Sequence, residues 1–98
     1  MIKHIVFFRI KSEKKEEELK ILKKMIEDLG DSIPSLIKIE AGINFSTRDT
    51  AYDLALVSEF HDREGLKAYQ VHPEHLKLID HLKKLDRELA VVDYYSLN

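Results

Sequence analysis

Four residues carry the side chains in this sequence that best suit proton-transfer chemistry. Tyr69, His72 and His75 occur together in the segment Tyr-Gln-Val-His-Pro-Glu-His, and His4 lies in an apolar segment near the N-terminus. An imidazole titrates near neutral pH and a phenol donates a hydrogen bond, so the two groups together suit proton abstraction next to a carbonyl. Tyr69 and His75 are therefore the candidate catalytic residues.

The positions of two of these histidines leave two interpretations open. His75 lies on the apolar side of a predicted helix, in line with Ile79 and Leu82, and His4 is the one polar residue on an apolar strand face. Each imidazole is costly in such a place unless it finds a partner. Either both are hydrogen-bonded groups in a closed core, or they surround a cleft together with Tyr69.

His72 has a simpler explanation. It precedes Pro73, where a helix breaks, and its ring can satisfy free backbone groups at the break. This structural role is favoured over catalysis, although His72 also stays among the candidate ligand-binding residues.

A metal site built from two of the histidines is not expected. His72 and His75 are three residues apart across the break, unlike a His-x-x-x-His pair on one helical turn, and zinc would need a third ligand. The sequence predicts no metal and no cofactor.

The elements that position these residues follow from hydrophobic periodicity. Alternating apolar segments predict four strands, and apolar stripes at spacings of three and four predict helices between them. Ser12 is the expected start of the first helix, and Gly30 is its expected end. The predicted order is strand Ile2–Ile10, helix Ser12–Leu29, strand Ile37–Ile43, strand Tyr52–Phe60, a helix pair after Asp62 that breaks before Pro73, and strand Leu89–Tyr95.

This βαββαβ order predicts an α+β, ferredoxin-like fold for residues 1–98 as a single domain. Right-handed crossovers place the helices on one face of a four-stranded antiparallel sheet. On that face Val6, Phe8 and Leu56 accompany His4, so these residues, together with His72, are the candidate ligand-binding residues of an apolar pocket.

The other face of the sheet predicts a partner. Ile5, Phe7, Ala55 and Val57 form a central apolar patch there, and no remaining segment of the chain can cover it. Monomers rarely expose such a patch, and a second copy packed sheet on sheet is its natural cover. The sequence therefore predicts a homodimer with these four residues at its interface.

Composition argues against several other partners. Sixteen Lys and Arg against eighteen Asp and Glu give a net charge of −2, and Ala55 and Val57 stand where RNA-binding sheets need stacking rings, so no nucleic acid is expected. No apolar run reaches membrane-spanning length, so no membrane association is expected. The N-terminal residues lack the features of a secretory signal, and the sequence has no cysteine, so we expect a cytoplasmic protein.

Several segments resemble the stress-responsive α/β-barrel domain family. The most specific is the Tyr-x-x-His-Pro-x-His segment, which begins at Tyr69, and the leading Lys-His-Ile-Val, which begins at Lys3, supports it. The resemblance implies ferredoxin-like subunits that pair by their sheets into a dimeric α+β barrel. Further matching segments are Ile33-Pro34, Tyr52–Phe60 and Ala90–Tyr94.

The resemblance also implies a possible activity. The family includes plant polyketide cyclases in which the tyrosine and the second histidine of this motif act on the substrate, and these roles fall on Tyr69 and His75, with His4 lining the pocket. The cyclase pocket is partly lined by aromatic residues of the first helix, whereas that helix here presents Leu22 and Met25, so an aromatic polyketide substrate is not expected. Three functions remain. The first is binding of a small apolar or carbonyl ligand in an unassigned role. The second is acid–base chemistry on a small carbonyl compound, either polyketide-cyclase-like or of another lyase or isomerase kind, and the third is a purely structural dimer.

Overall fold

The computed structural model describes residues 1–97 as a four-stranded antiparallel sheet and three helices. The strand order across the sheet is β2-β3-β1-β4, with the elements numbered in chain order. This arrangement confirms the predicted ferredoxin-like α+β fold of the subunit. The elements are β1 (Ile2–Ile10), α1 (Lys15–Ser32), β2 (Lys38–Ile43), β3 (Leu54–Phe60), α2 (Arg63–Gln70), α3 (Pro73–Lys83) and β4 (Arg87–Tyr95).

The start of α1 differs from the prediction. Ser12 does not cap the helix, because its Oγ accepts a hydrogen bond from the Lys14 amide in the preceding turn, at 3.1 Å. The helix begins at Lys15, and its first turn carries Glu16, Glu17 and Glu18. Three carboxylates at the positive end of the helix dipole stabilise this start.

The end of α1 was also predicted wrongly. Gly30 lies inside the helix, where a Cβ atom would come within 3.1 Å of Ile39 Cγ2. The glycine therefore allows α1 to approach β2 closely, and it is not a helix stop. The helix continues to Ser32 and ends before Ile33, which is extended because it precedes Pro34.

The break between α2 and α3 follows the prediction. Asp62 caps α2, since its Oδ1 accepts a hydrogen bond from the Gly65 amide at 2.8 Å. His72 caps α3, because its Nδ1 accepts from the Glu74 amide at 3.1 Å, and Pro73 is the first helical residue. This break sets the direction of α3, which carries His75.

The hydrophobic core lies between the helices and the inner sides of β1 and β3. The alternate residues of both strands that face the helices are buried, whereas the outward residues are half-buried or exposed. On β4, by contrast, the helix-facing side chains of Leu89 and Val91 are 44% and 53% exposed. The helices thus leave the core open along β4. The buried core residues include Ile2, Val6, Phe8, Ile10, Leu22, Ile26, Leu54, Leu56, Phe60, Leu78 and Leu82.

The outer face of the sheet is apolar at its centre. Ile5 pairs with Val57 on one side and with Val92 on the other, and Phe7 pairs with Ala55. Phe7 is 43% exposed and Val92 is 57% exposed in the single chain. Within residues 1–97, no helix combines the length and apolar character needed to span a membrane.

Candidate functional site

A cavity of ≈ 150 Å³ lies between α2, α3 and the helix-facing side of the sheet, and it opens along the uncovered part of β4. Its polar lining residues are His4, Tyr69, Gln70 and His75. An apolar cavity of about 150 Å³ can hold a benzene-sized molecule. The remaining lining residues are Val6, Phe8, Leu56, Leu78, Ile79, Leu82, Leu89 and Val91.

Tyr69 carries an unused hydrogen-bond donor at this cavity. The residue is fully buried, and its Oη has no hydrogen-bond partner among residues 1–97. Its ring centroid lies 4.4 Å from that of His75 and 6.0 Å from that of His4, so both imidazoles are neighbours of the phenol ring. Burial raises the pKa of Tyr69 well above its ordinary value. The phenol therefore stays protonated and serves as a donor, not as a base.

His75 is held in one orientation by the preceding helix. Its Nδ1 lies 3.0 Å from the carbonyl oxygen of Gln70, and because a carbonyl only accepts, Nδ1 carries the proton of the neutral ring. Nε2 is left with a lone pair. Burial lowers the pKa of His75, the Gln70 hydrogen bond opposes this effect, and the nearby His4 lowers the pKa further. His75 is thus a neutral hydrogen-bond acceptor near pH 7.

His4 is held by a residue that the sequence analysis missed. His4 on β1 and Asp93 on β4 lie directly opposite each other in the sheet, and the His4 Nδ1 contacts the Asp93 Oδ1. Side-chain exposure is 9% for His4 and 40% for Asp93. A signal was available, because Asp93 is the one charged residue in the alternating set with Leu89, Val91 and Tyr95.

The structure brings most of the predicted pocket residues together. His4, Tyr69 and His75 line one cavity, and the predicted apolar residues Val6, Phe8 and Leu56 complete the wall on the sheet side. His72 is not part of the lining, since its ring caps α3. No residue of α1 lines the cavity either, so the first helix does not shape this wall. Among residues 1–97, no cluster of three or more metal-ligating side chains occurs.

The comparisons with known proteins identify the family. Residues 2–96 match the profile of the Stress Responsive A/B Barrel Domain. The chain belongs to this family. An uncharacterized protein from Streptomyces coelicolor is 35% identical over 77 residues, which cover 76% of this chain and 79% of the relative.

Solved structures resemble this A/B barrel domain over its whole length. A dimeric protein of unknown function from Bacteroides fragilis, with a ferredoxin-like fold, has a TM-score of 0.83 and 33% identity, covering 97% of this chain and 95% of that one. The hydroxynitrile lyase from Passiflora edulis has a TM-score of 0.84 and 19% identity, covering 99% of this chain and 94% of the lyase. At this lower identity the likeness shows the fold alone.

The lowered pKa of His75 predicts a pH dependence for the stability of this A/B barrel domain. The folded chain keeps His75 neutral over a pH range in which the unfolded chain, with an ordinary pKa of 6.5, binds a proton there. Protonation therefore favours unfolding, and the contribution of His75 to the free energy of unfolding falls as the pH drops through about 6.5. Urea unfolding at several pH values should show the wild type losing stability relative to His75→Leu on acidification. An unchanged difference between the two proteins would contradict the prediction.

Proposed function

We propose that the protein is a cytoplasmic homodimer whose subunits each bind a small, uncharged, mainly apolar molecule that carries a hydrogen-bond acceptor such as a carbonyl oxygen. The dimer is supported by the apolar outer face of the sheet and by the Bacteroides fragilis relative, which is described as dimeric. The predicted interface comprises Ile5, Phe7, Ala55 and Val57.

The unpartnered Oη of Tyr69 carries the binding proposal. A buried hydroxyl without a partner costs about 1–3 kcal/mol, so native proteins rarely keep one unless something else satisfies it. A ligand oxygen in the cavity would accept this hydrogen bond, and the apolar lining would bury the remainder of the ligand.

Acetophenone and α-methylstyrene form a matched pair of probes, because they differ in shape mainly by a C=CH₂ group in place of C=O. We expect the wild type to bind acetophenone more tightly, since only the ketone accepts the Tyr69 hydrogen bond. Tyr69→Phe should weaken acetophenone binding by about 3- to 10-fold, the equivalent of one neutral hydrogen bond, and leave α-methylstyrene unaffected. NMR titration of the labelled protein measures both affinities.

His72→Asn serves as the control for this titration, because the His72 ring caps α3 and does not line the cavity. An asparagine also caps helices well, so the fold should persist. This variant should bind both probes as the wild type does. Equal affinity of the wild type for the two probes would contradict the proposal, and so would an equal loss of both affinities in Tyr69→Phe.

Acid–base catalysis on a small carbonyl compound is the second candidate function. It is favoured by the ring nitrogens, since His4 and His75 each have Nδ1 engaged by another group and Nε2 left without a partner in the part of the chain that is described. A protonated phenol beside two such nitrogens supplies a donor for the carbonyl oxygen and an acceptor for a carbon-bound proton. The residues are those predicted from the sequence, with His4 added.

A further inference from the structure

The two histidines of the cavity differ in what holds them. The Nδ1 of His75 donates to a neutral backbone carbonyl, whereas the Nδ1 of His4 faces the carboxylate of Asp93. A carboxylate behind an imidazole stabilises the imidazolium that forms when the ring takes up a proton, and it also fixes the tautomer. A backbone carbonyl fixes the tautomer but compensates the charge much less.

The charged and titratable groups around His4 come from several elements of the fold. Asp93 faces it from β4, Tyr69 from α2 and His75 from α3, while the His4 backbone carbonyl accepts a hydrogen bond from Ser58 on β3 at 3.1 Å. The two imidazoles repel each other's charge, so protonation of one disfavours protonation of the other. Of the two rings, His4 is the one whose Nδ1 has a carboxylate partner, whereas the Nδ1 of His75 has a backbone carbonyl.

The Asp93 carboxylate is not buried. Its side chain is 40% exposed, and it lines a separate small recess with Ile2, Arg63 and Tyr95. A half-hydrated carboxylate avoids most of the penalty that a buried one would incur. The pair therefore consists of the partly hydrated carboxylate of Asp93 and the nearly buried imidazole of His4.

We propose that His4 and Asp93 form a dyad in which Asp93 is the positioning residue and His4 is the proton acceptor of the cavity, acting on an uncharged ketone that carries hydrogen on the carbon next to its carbonyl. This proposal rests on the acid–base function above, in which either histidine can accept the proton, and it assigns that role to His4 in place of His75, the residue predicted from the sequence. The carboxylate also disfavours anionic substrates, since it lies directly beside the reacting ring.

The proposed step is a reversible enolisation. The C–H bond next to the carbonyl breaks, and its proton bonds to His4 Nε2. The electron pair of that bond forms the C=C bond of the enolate, and the carbonyl oxygen, which becomes the oxyanion, accepts the hydrogen bond from Tyr69 Oη. The imidazolium of His4 is stabilised by Asp93. Return of the proton, or of a deuteron in D₂O, restores the ketone without any co-reactant.

Asp93→Asn tests the positioning role directly. The asparagine amide can donate to Nδ1, which would move the ring proton of His4 to Nε2 and remove the lone pair that the step requires. Long-range ¹H–¹⁵N NMR spectra of the ligand-free protein should show the Nδ1-protonated tautomer in the wild type and in Asp93→Glu, but not in Asp93→Asn. Glu88→Gln is the matched control, since Glu88 is another carboxylate of β4, paired with Arg9 and Lys11. An unchanged His4 tautomer in Asp93→Asn would overturn the positioning role.

Exchange of the acetophenone methyl hydrogens in D₂O tests the catalytic assignment. We expect the wild type and Glu88→Gln to catalyse exchange, His4→Gln to lower the rate by about 100-fold or more, and His75→Gln to lower it much less. A larger loss in His75→Gln than in His4→Gln overturns the assignment. A wild type that binds acetophenone without exchanging its hydrogens also overturns it, but leaves the binding function standing. If acetophenone does not bind, the binding proposal fails, and the His4 tautomer still decides whether Asp93 positions the ring.

Discussion

Val57→Lys is expected to convert the proposed dimer of twice 11.5 kDa into monomers. Val57 lies at the centre of the outer face, paired with Ile5 on β1. In a symmetric interface each substitution places a charge in an apolar centre near its symmetry mate, at a cost of several kcal/mol. A specific interface of this kind buries on the order of 1,200–2,000 Å² in total, and such a penalty outweighs much of its binding energy. Sedimentation equilibrium at several concentrations measures the loss.

Ile21→Lys is the matched control for this experiment. Ile21 is also an apolar residue with substantial exposure, at 48%, but it lies on α1 and not on the sheet. It therefore receives the same change of side chain away from the proposed interface, and the dimer should persist. If the wild type sediments as a monomer, or if Val57→Lys stays dimeric, the outer face is not the interface.

The fold was predictable because the residue patterns of the strands describe both faces of the sheet. β1 and β3 are apolar on alternate residues that face the helices and again at the centre of the outer face, and this double pattern predicted both the layer of helices and the need for a partner. The ends of α1 were not predictable in the same way. Gly30 lies where a Cβ atom would come within 3.1 Å of Ile39, nine residues further along the chain, so a local rule that makes glycine a helix stop gave the wrong boundary.

The residue types of the candidate site were predictable, but the partner of His4 and the opening of the cavity were not. His4, Tyr69 and His75 stood out as polar rings in apolar surroundings. The role of Asp93 depends on the register between β1 and β4, which places it opposite His4 across 89 positions of sequence. The opening of the cavity depends on how far α2 and α3 extend over β4. Neither the register nor this reach can be deduced from one sequence, because both are set by tertiary packing.

Tyr69→Phe is expected to lower the rate of acetophenone methyl exchange by about 10²- to 10³-fold, the effect of removing one donor that faces a developing oxyanion. The ligand-free protein should not lose stability. Tyr69 Oη has no partner among residues 1–97, so the substitution removes an unsatisfied buried hydroxyl while the ring keeps its contacts with His75 and Phe60. The exchange rate is measured by ¹H NMR in D₂O and the free energy of unfolding by urea titration.

Tyr95→Phe separates this effect from a general consequence of losing a phenol. Tyr95 is 67% exposed on β4 and does not line the cavity, so its variant should exchange acetophenone at the wild-type rate. A structural role for the Tyr69 hydroxyl would appear as a lower free energy of unfolding in Tyr69→Phe. A role in substrate chemistry would appear as slow exchange at unchanged or higher stability. Fast exchange in a stable Tyr69→Phe would show that the carbonyl oxygen does not use this donor. The proposed acid–base function would then lack the hydrogen-bond donor that stabilises the oxyanion.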